Sequence, residues 1–160
     1  MTMVSLLLLA GFAQASMRLK CNTTVNVNDG ILEIDLWPGT AAHGVRRIAD
    51  MANDHFFSDL PFFQVLDNMV TFGLQGPIAP CSKGDIPDDP MPRANPDAEG
   101  LLCFSGDPKK RVDSRSTILF FTLGDKHLYS NRKTPWEVPV GKVVKGLDVV
   151  KGIYSGESAA

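Results

Sequence analysis

Phe62-Phe63-Gln64-Val65-Leu66-Asp67-Asn68-Met69-Val70-Thr71-Phe72-Gly73-Leu74-Gln75 is the stretch on which the reading of this chain turns. Two short apolar runs, Phe62 to Leu66 and Met69 to Leu74, stand on either side of Asp67-Asn68. Aromatic and β-branched residues suit a pleated, half-buried surface. Asp and Asn bond their own backbone and tolerate tight turns. The pattern predicts a β-hairpin, with Gln64 and Thr71 as polar interruptions in otherwise apolar strands.

Working outward, Val25 and Val27 alternate with polar residues, Asn28-Asp29-Gly30 marks a turn, and Ile31, Ile34 and Leu36 resume an extended pattern. This predicts a hairpin with a three-residue connection. Trp37-Pro38-Gly39 ends it, and Thr40 is placed to cap a helix starting at Ala41. Val45, Ile48, Ala49 and Ala52 make one apolar helical face, with Arg46, Arg47 and Asp50 on the other side. Gln75 to Glu99 holds six prolines and little periodicity, which predicts a long irregular loop. Within it Asp88-Asp89, between prolines, reads as a turn. Leu101 to Ser105, Ile118 to Leu123 and Val138 to Val144 are β-type runs, and Gly146 to Tyr154 offers a short amphipathic helix. The expected class is mainly β: a closed antiparallel barrel capped by two helices.

A chain of 160 residues suggests one domain, and 44% hydrophobic content suffices for a core. A net charge of −2 argues against nucleic acid or an anionic membrane as partner, since both need a concentrated basic face. Lys109-Lys110-Arg111 is the densest basic run and reads as a solvated loop tip. Val4 to Phe12 is apolar and Ala13-Gln14-Ala15 follows as a small-residue cleavage site. That is a secretory leader pattern, and the run is too short to span a bilayer. It divides the chain into a signal peptide, 1–15, and a domain, 16–160, and it places the protein in the secretory pathway, outside the cell or in a periplasm. An N-terminal β-strand and a wrongly chosen start are the competing readings. In an oxidising compartment two of Cys21, Cys81 and Cys103 could pair. Cys103 lies in an apolar run and reads as a buried thiol, so Cys21 and Cys81 are the candidate disulfide. Asn22-Thr23-Thr24 is a glycosylation sequon. His43, His55 and His127 have no metal-ligand spacing, and Ser105-Gly106 lacks the setting of a hydrolase nucleophile. No metal and no cofactor are expected.

Several stretches, in order, resemble the cyclophilin-type peptidyl-prolyl isomerases. They are Ile31 to Leu36, His55-Phe56-Phe57 with Leu60-Pro61-Phe62-Phe63, and Ile86-Pro87-Asp88-Asp89-Pro90 with Asn95 and Gly100. Thr117 to Asp125, Gly141 to Val150 and Tyr154-Ser155-Gly156 continue the series, so the resemblance spans about Val25 to Glu157. The Asp-Asp-Pro loop is similar to that of a bacterial and algal branch. The resemblance implies a barrel that binds proline-containing polypeptides as a monomer and rotates their Xaa-Pro bonds without a cofactor. It also implies one more strand after Tyr154-Ser155-Gly156. The chain has only Glu157-Ser158-Ala159-Ala160 there, so the expectation is an open barrel, an edge covered by another segment, or a truncated gene model.

The same resemblance assigns the site. Gln64 stands where the family has its catalytic arginine. Met69, Val70, Thr71, Ser105, Ile118, Phe120, His127, Leu128 and Glu137 fall at substrate-binding positions, with Thr71 and Ile118 at positions of glutamines, His127 at a rim tryptophan and Glu137 at a pocket-edge histidine or phenylalanine. An amide donates a weaker hydrogen bond than a charged guanidinium. Gln64 therefore reads either as a weakened donor or as a polar residue on the open face of a strand. Two functions follow: an isomerase of reduced activity, or a catalytically silent module that binds proline-containing segments. Arg115 reads as a surface arginine near the groove.

Overall fold

The computed structural model describes residues 4–9, 16–25, 27–73, 84–90, 99–124 and 137–153. Their strands are β1 (Val4–Leu9), β2 (Ser16–Asn22), β3 (Ile31–Leu36), β4 (Phe62–Val65), β5 (Met69–Phe72), β6 (Leu101–Phe104), β7 (Leu119–Thr122) and β8 (Pro139–Lys145). The helices are α1 (Ala42–Asn53) and α2 (Leu147–Lys151). All strands join one antiparallel sheet in the order β1-β2-β3-β8-β6-β7-β5-β4. The sheet curls on itself: Leu19 and Cys21 of β2 line the same apolar interior as Phe62 of β4, near the far end of the order. Among the described residues no ladder joins β1 to β4, so the expected closed barrel is a curled sheet with a seam.

Strand periodicity accounts for the core. Along β3, Leu32, Ile34 and Leu36 are buried while Glu33 and Asp35 face outward. On the outer face Arg18 donates to Asp35 at 2.7 Å and to Glu33 at 3.2 Å. The first strand of this hairpin is β2, not the Val25–Val27 run. Thr23 N–H donates to the Gly30 carbonyl, and a 3-10 turn at Asn28–Gly30 leads into β3. Val4–Leu9, part of the apolar run read as a leader, pairs along all six residues with β2, from Val4 opposite Cys21 to Leu9 opposite Ser16. Backbone donors and acceptors on that side of β2 are thereby occupied, which is how an edge strand is kept from pairing with other chains.

Helix α1 packs Val45, Ile48, Met51 and Ala52 into the core. Burying each large side chain contributes about 1.5–3 kcal/mol. Its N-terminus is not capped by Thr40, whose hydroxyl bonds the Trp37 carbonyl. The cap comes from 45 residues downstream: the Asp89 carboxylate accepts from the His43 and Gly44 N–H groups, both at 2.9 Å. Gly44 makes this approach possible, because a Cβ there would lie 2.5 Å from Val140 Cγ1 and 3.1 Å from Asp89 Oδ2. Asp89 is 4% exposed and also receives the Arg115 guanidinium at 3.1 Å. Arg115, expected at the surface, is fully buried; it also donates to the Pro87 carbonyl and lies 5.8 Å from the centre of the Phe104 ring. Arg47, assigned to the solvent face, is likewise buried, donating to the Ser116 and Gly84 carbonyls.

Removing one partner of a buried ion pair strands the other charge in the interior, at a cost of about 3–5 kcal/mol. Arg115→Ala is expected to lower the unfolding free energy by that amount in urea titration. A loss below 1 kcal/mol, the scale of an exposed pair, would show that the Asp89 network does not hold the fold.

Candidate active site on the outer face of the curled sheet

Phe62–Val65 and Met69–Phe72 form a hairpin, as their pattern predicts; Leu74 and Gln75 lie outside the described residues. Leu66 N–H donates to the Met69 carbonyl across Asp67-Asn68 at 2.8 Å. The register contains an irregularity that no pattern predicts. Phe62 pairs with Phe72, but Gln64 pairs with Thr71 and Val65 with Val70, so one extra residue sits in β4 at Phe63. Phe63 is 44% exposed. In a regular strand residues two apart share a face. Phe62 packs against the interior, in edge contact with Phe72, and regular alternation would send Gln64 inward after it. The bulge reverses the alternation and turns Gln64 to the outside.

Gln64 thereby begins a row across four strands: Gln64 in β4, Thr71 in β5, Phe120 in β7 and Cys103 in β6. The Thr71 hydroxyl donates to Gln64 Oε1 at 3.4 Å, which leaves the Nε2 hydrogens as Gln64's donors. Phe120 and Cys103 form a small outer cluster with Leu101, and Met69 and Trp37 pack against it. This cluster is separate from the main core, where Phe72 and Phe121 stack with centroids 5.1 Å apart. Ile118 and Ser105 continue the outer face beyond the row, joined by Ser105 N–H donating to the Ile118 carbonyl at 2.9 Å. Glu137 lies two residues before Pro139, the register partner of Cys103.

The sequence-predicted site residues divide accordingly. Gln64, Met69, Thr71, Ser105, Ile118 and Phe120 share one face, and Glu137 adjoins it. Val70 does not belong with them: the pleat between Met69 and Thr71 turns it into the main core, where it is fully buried. His127 and Leu128 lie outside the described residues. Trp37, Leu101 and Cys103 are floor residues that motif matching passes over. For Leu101 and Cys103 the signal was the unbroken apolar run Leu101-Leu102-Cys103-Phe104, since a strand buried along its whole length is covered on both faces.

The candidate Cys21–Cys81 bridge fares differently. Cys21 is a free thiol, 2% exposed, because its place in β2 points it into the interior; Cys81 lies outside the described residues. Asn22, the sequon residue, is exposed at the end of β2.

The family described as Cyclophilin type peptidyl-prolyl cis-trans isomerase/CLD matches residues 22–160 of this chain. The chain belongs to the cyclophilin-type peptidyl-prolyl cis-trans isomerase family. Solved cyclophilins share the fold at low identity. A Cryptosporidium parvum cyclophilin type isomerase aligns with TM-score 0.67 and 14% identity over 85% of this chain and 82% of its own. The Mimivirus cyclophilin gives 0.63 and 21% over 89% and 83%, and the cyclophilin AquaCyp293 from Hirschia baltica gives 0.65 and 15% over 86% and 67%. The Cryptosporidium parvum protein was also solved in the presence of the dipeptide Ala-Pro, and that structure aligns with TM-score 0.61 and 15% identity over 78% of each chain. No curated protein matches the sequence.

Burial pushes the Cys21 thiol up to about 12 from its ordinary 9.0. Thiol reactivity follows the thiolate. Cys21 is therefore expected to resist alkylation at pH 8 in the folded cyclophilin and to react on unfolding, as read by peptide mass spectrometry. Because the folded value is the raised one, its stabilising effect is complete below pH 9 and lost between pH 9 and 12. Rapid native alkylation would contradict the inward placement.

Proposed function

We propose that this cyclophilin rotates Xaa-Pro bonds in polypeptides, at a rate reduced by the amide at position 64. The observation that carries the reading is the row Gln64, Thr71, Phe120, Cys103, which sets a polar donor beside an apolar floor on the sheet's outer face. Xaa-Pro rotation makes and breaks no covalent bond; its barrier, about 18–20 kcal/mol, comes from lost amide resonance. Catalysis therefore requires tighter binding of the twisted state than of either planar isomer. As the prolyl nitrogen becomes pyramidal it gains a lone pair, and a preorganised donor aimed at that atom lowers the barrier.

Gln64 supplies such a donor. Its Oε1 is engaged by Thr71, so Nε2–H is the group left to approach the substrate. The bond is neutral, and charge-assisted bonds are about twice as strong. Replacing an arginine by this amide forfeits about 2.7–4 kcal/mol of transition-state stabilisation, or about 10²–10³ in rate. The proline ring would rest on the outer cluster. Phe120 is only 2% exposed, covered in part by Met69 and Trp37, and Met69 has the flexible, unbranched side chain suited to shifting over a ring.

Gln64→Arg is expected to raise kcat/KM for a short Xaa-Pro peptide by about 10²–10³ in a protease-coupled assay. Gln64→Leu, of similar size without a donor, is expected to remove the residual activity. Equal rates for wild type and Gln64→Leu would overturn the catalytic role and leave a silent proline-binding module in its place.

A further inference from the structure

Val4–Leu9 fits a leader and a strand equally as sequence, and in the structure it occupies the edge of β2. That strand pairs with β3 on one side, and on the other only β1 meets its backbone groups. The pairing runs in unbroken register from Val4 opposite Cys21 to Leu9 opposite Ser16, and β1 also approaches α1. The place matters because β2 stands at the seam of the curled sheet. Its Leu19 and Cys21 line the apolar interior that Phe62 of β4 reaches from the far end of the strand order. Both are nonetheless buried, at 3% and 2% exposure.

Two features mark Val4–Leu9 as a resident that another strand can replace. It is held along one side only, since among the described residues no ladder lies beyond β1. Strands with little around them open at lower free energy than those in the middle of a sheet. Its sequence also does little to pin it. Leu6-Leu7-Leu8-Leu9 has no alternation, so no hydrophobic pattern distinguishes one register from the next. The run is uncharged from Val4 to Leu9. What β2 recognises in it is therefore an extended backbone and apolar bulk.

We propose that the β2 edge is a strand-binding site. Val4–Leu9 is its resident, and an extended, uncharged apolar segment of another polypeptide is the ligand that takes its place. Main-chain hydrogen bonds supply the affinity, as when a peptide adds a strand to a sheet edge. The inward-facing Leu19 and Cys21 favour apolar side chains at alternate positions of the incoming strand. A chain that keeps the run holds the site shut, and a chain cut at the leader-like Ala13-Gln14-Ala15 presents it open. None of the outer-row residues takes part, so the site stands or falls apart from the isomerase reading.

In the full chain, Ser5→Cys with Lys20→Cys places two thiols at register partners. Mild oxidation should join them, as located by peptide mass spectrometry. Leu6→Cys with Lys20→Cys, one residue out of register, should stay unjoined. The probe is a labelled peptide, Val-Ser-Leu-Leu-Leu-Leu flanked by lysine pairs, with a control carrying Asp at alternate Leu positions. A strand on a short tether competes at an effective concentration of about millimolar, so the reduced chain should bind the probe weakly in fluorescence anisotropy. The oxidised chain should not bind it. Leu6→Pro with Leu8→Pro removes ladder donors from the resident and should tighten probe binding by about tenfold or more. Cys21 should then react with iodoacetamide while circular dichroism retains the sheet. Failure of positions 5 and 20 to join, or equal probe binding by oxidised and reduced chains, overturns the site whether or not the proline variant folds. A folded proline variant that takes no probe and keeps Cys21 protected overturns it too, and equal binding of the Asp peptide overturns the apolar preference.

Discussion

The Asp89 carboxylate is the point on which the arrangement of helix, hairpin connection and sheet depends. A carboxylate only 4% exposed is costly unless its lone pairs are filled, and here they are filled from two directions. The first turn of α1 supplies two N–H groups and the field of the helix N-terminus, and Arg115 supplies the opposite charge. Taking two ions out of water costs several kcal/mol each, so the pair is not a generous source of stability. Its consequence is geometric. Asp89 cannot bond His43, Gly44 and Arg115 together unless residues 84–90 lie against α1, and Arg115 cannot reach Asp89 unless the β6–β7 connection folds back beside it. The loop roots at Ser105 and Ile118 are thereby fixed relative to the sheet.

The site depends on a second constraint, the extra residue at Phe63. With Phe62 committed to the interior, regular alternation would place Gln64 inside. The bulge sends it out to meet Thr71, Phe120 and Cys103. Thr71 then has two effects. Buried at 4% exposure, it fills the sheet between Gln64 and Phe120, and its hydroxyl engages the amide oxygen. Gln64 is thus not a bare polar residue on an open strand; its amide oxygen is engaged by Thr71. Its amide is uncharged, and a charge-assisted hydrogen bond is about twice as strong as a neutral one.

Much of this was legible in the sequence, for reasons that differ by element. The alternation of Ile31 to Leu36 and the Asp67-Asn68 turn are local signals, and both elements formed where they were read. The outer-row residues were assigned from motif order. In the structure Met69, Thr71, Ile118 and Phe120 share a face, while pleating sends Val70 to the other side. Helix capping was misread because the carboxylate that accepts from the first turn lies 45 residues away; Thr40 is the local candidate, and no local rule reveals Asp89. Arg115 and Arg47 were misread for the same reason, since arginine is seldom buried unless paired and the partners are remote carbonyls and carboxylates. The apolar Val4–Leu9 run satisfies leader and strand patterns equally, and composition does not separate them; in the structure it lies along β2.

The central claim is that the outer row still engages a prolyl bond as it turns. Two-dimensional exchange NMR on an Ala-Pro peptide with catalytic amounts of the wild-type chain tests it without a protease or a substitution. The account predicts cis–trans exchange cross-peaks faster than in buffer, together with shift changes at Gln64, Met69, Thr71 and Phe120 on adding excess peptide. Exchange at the buffer rate, with shift changes absent from that row, would contradict it.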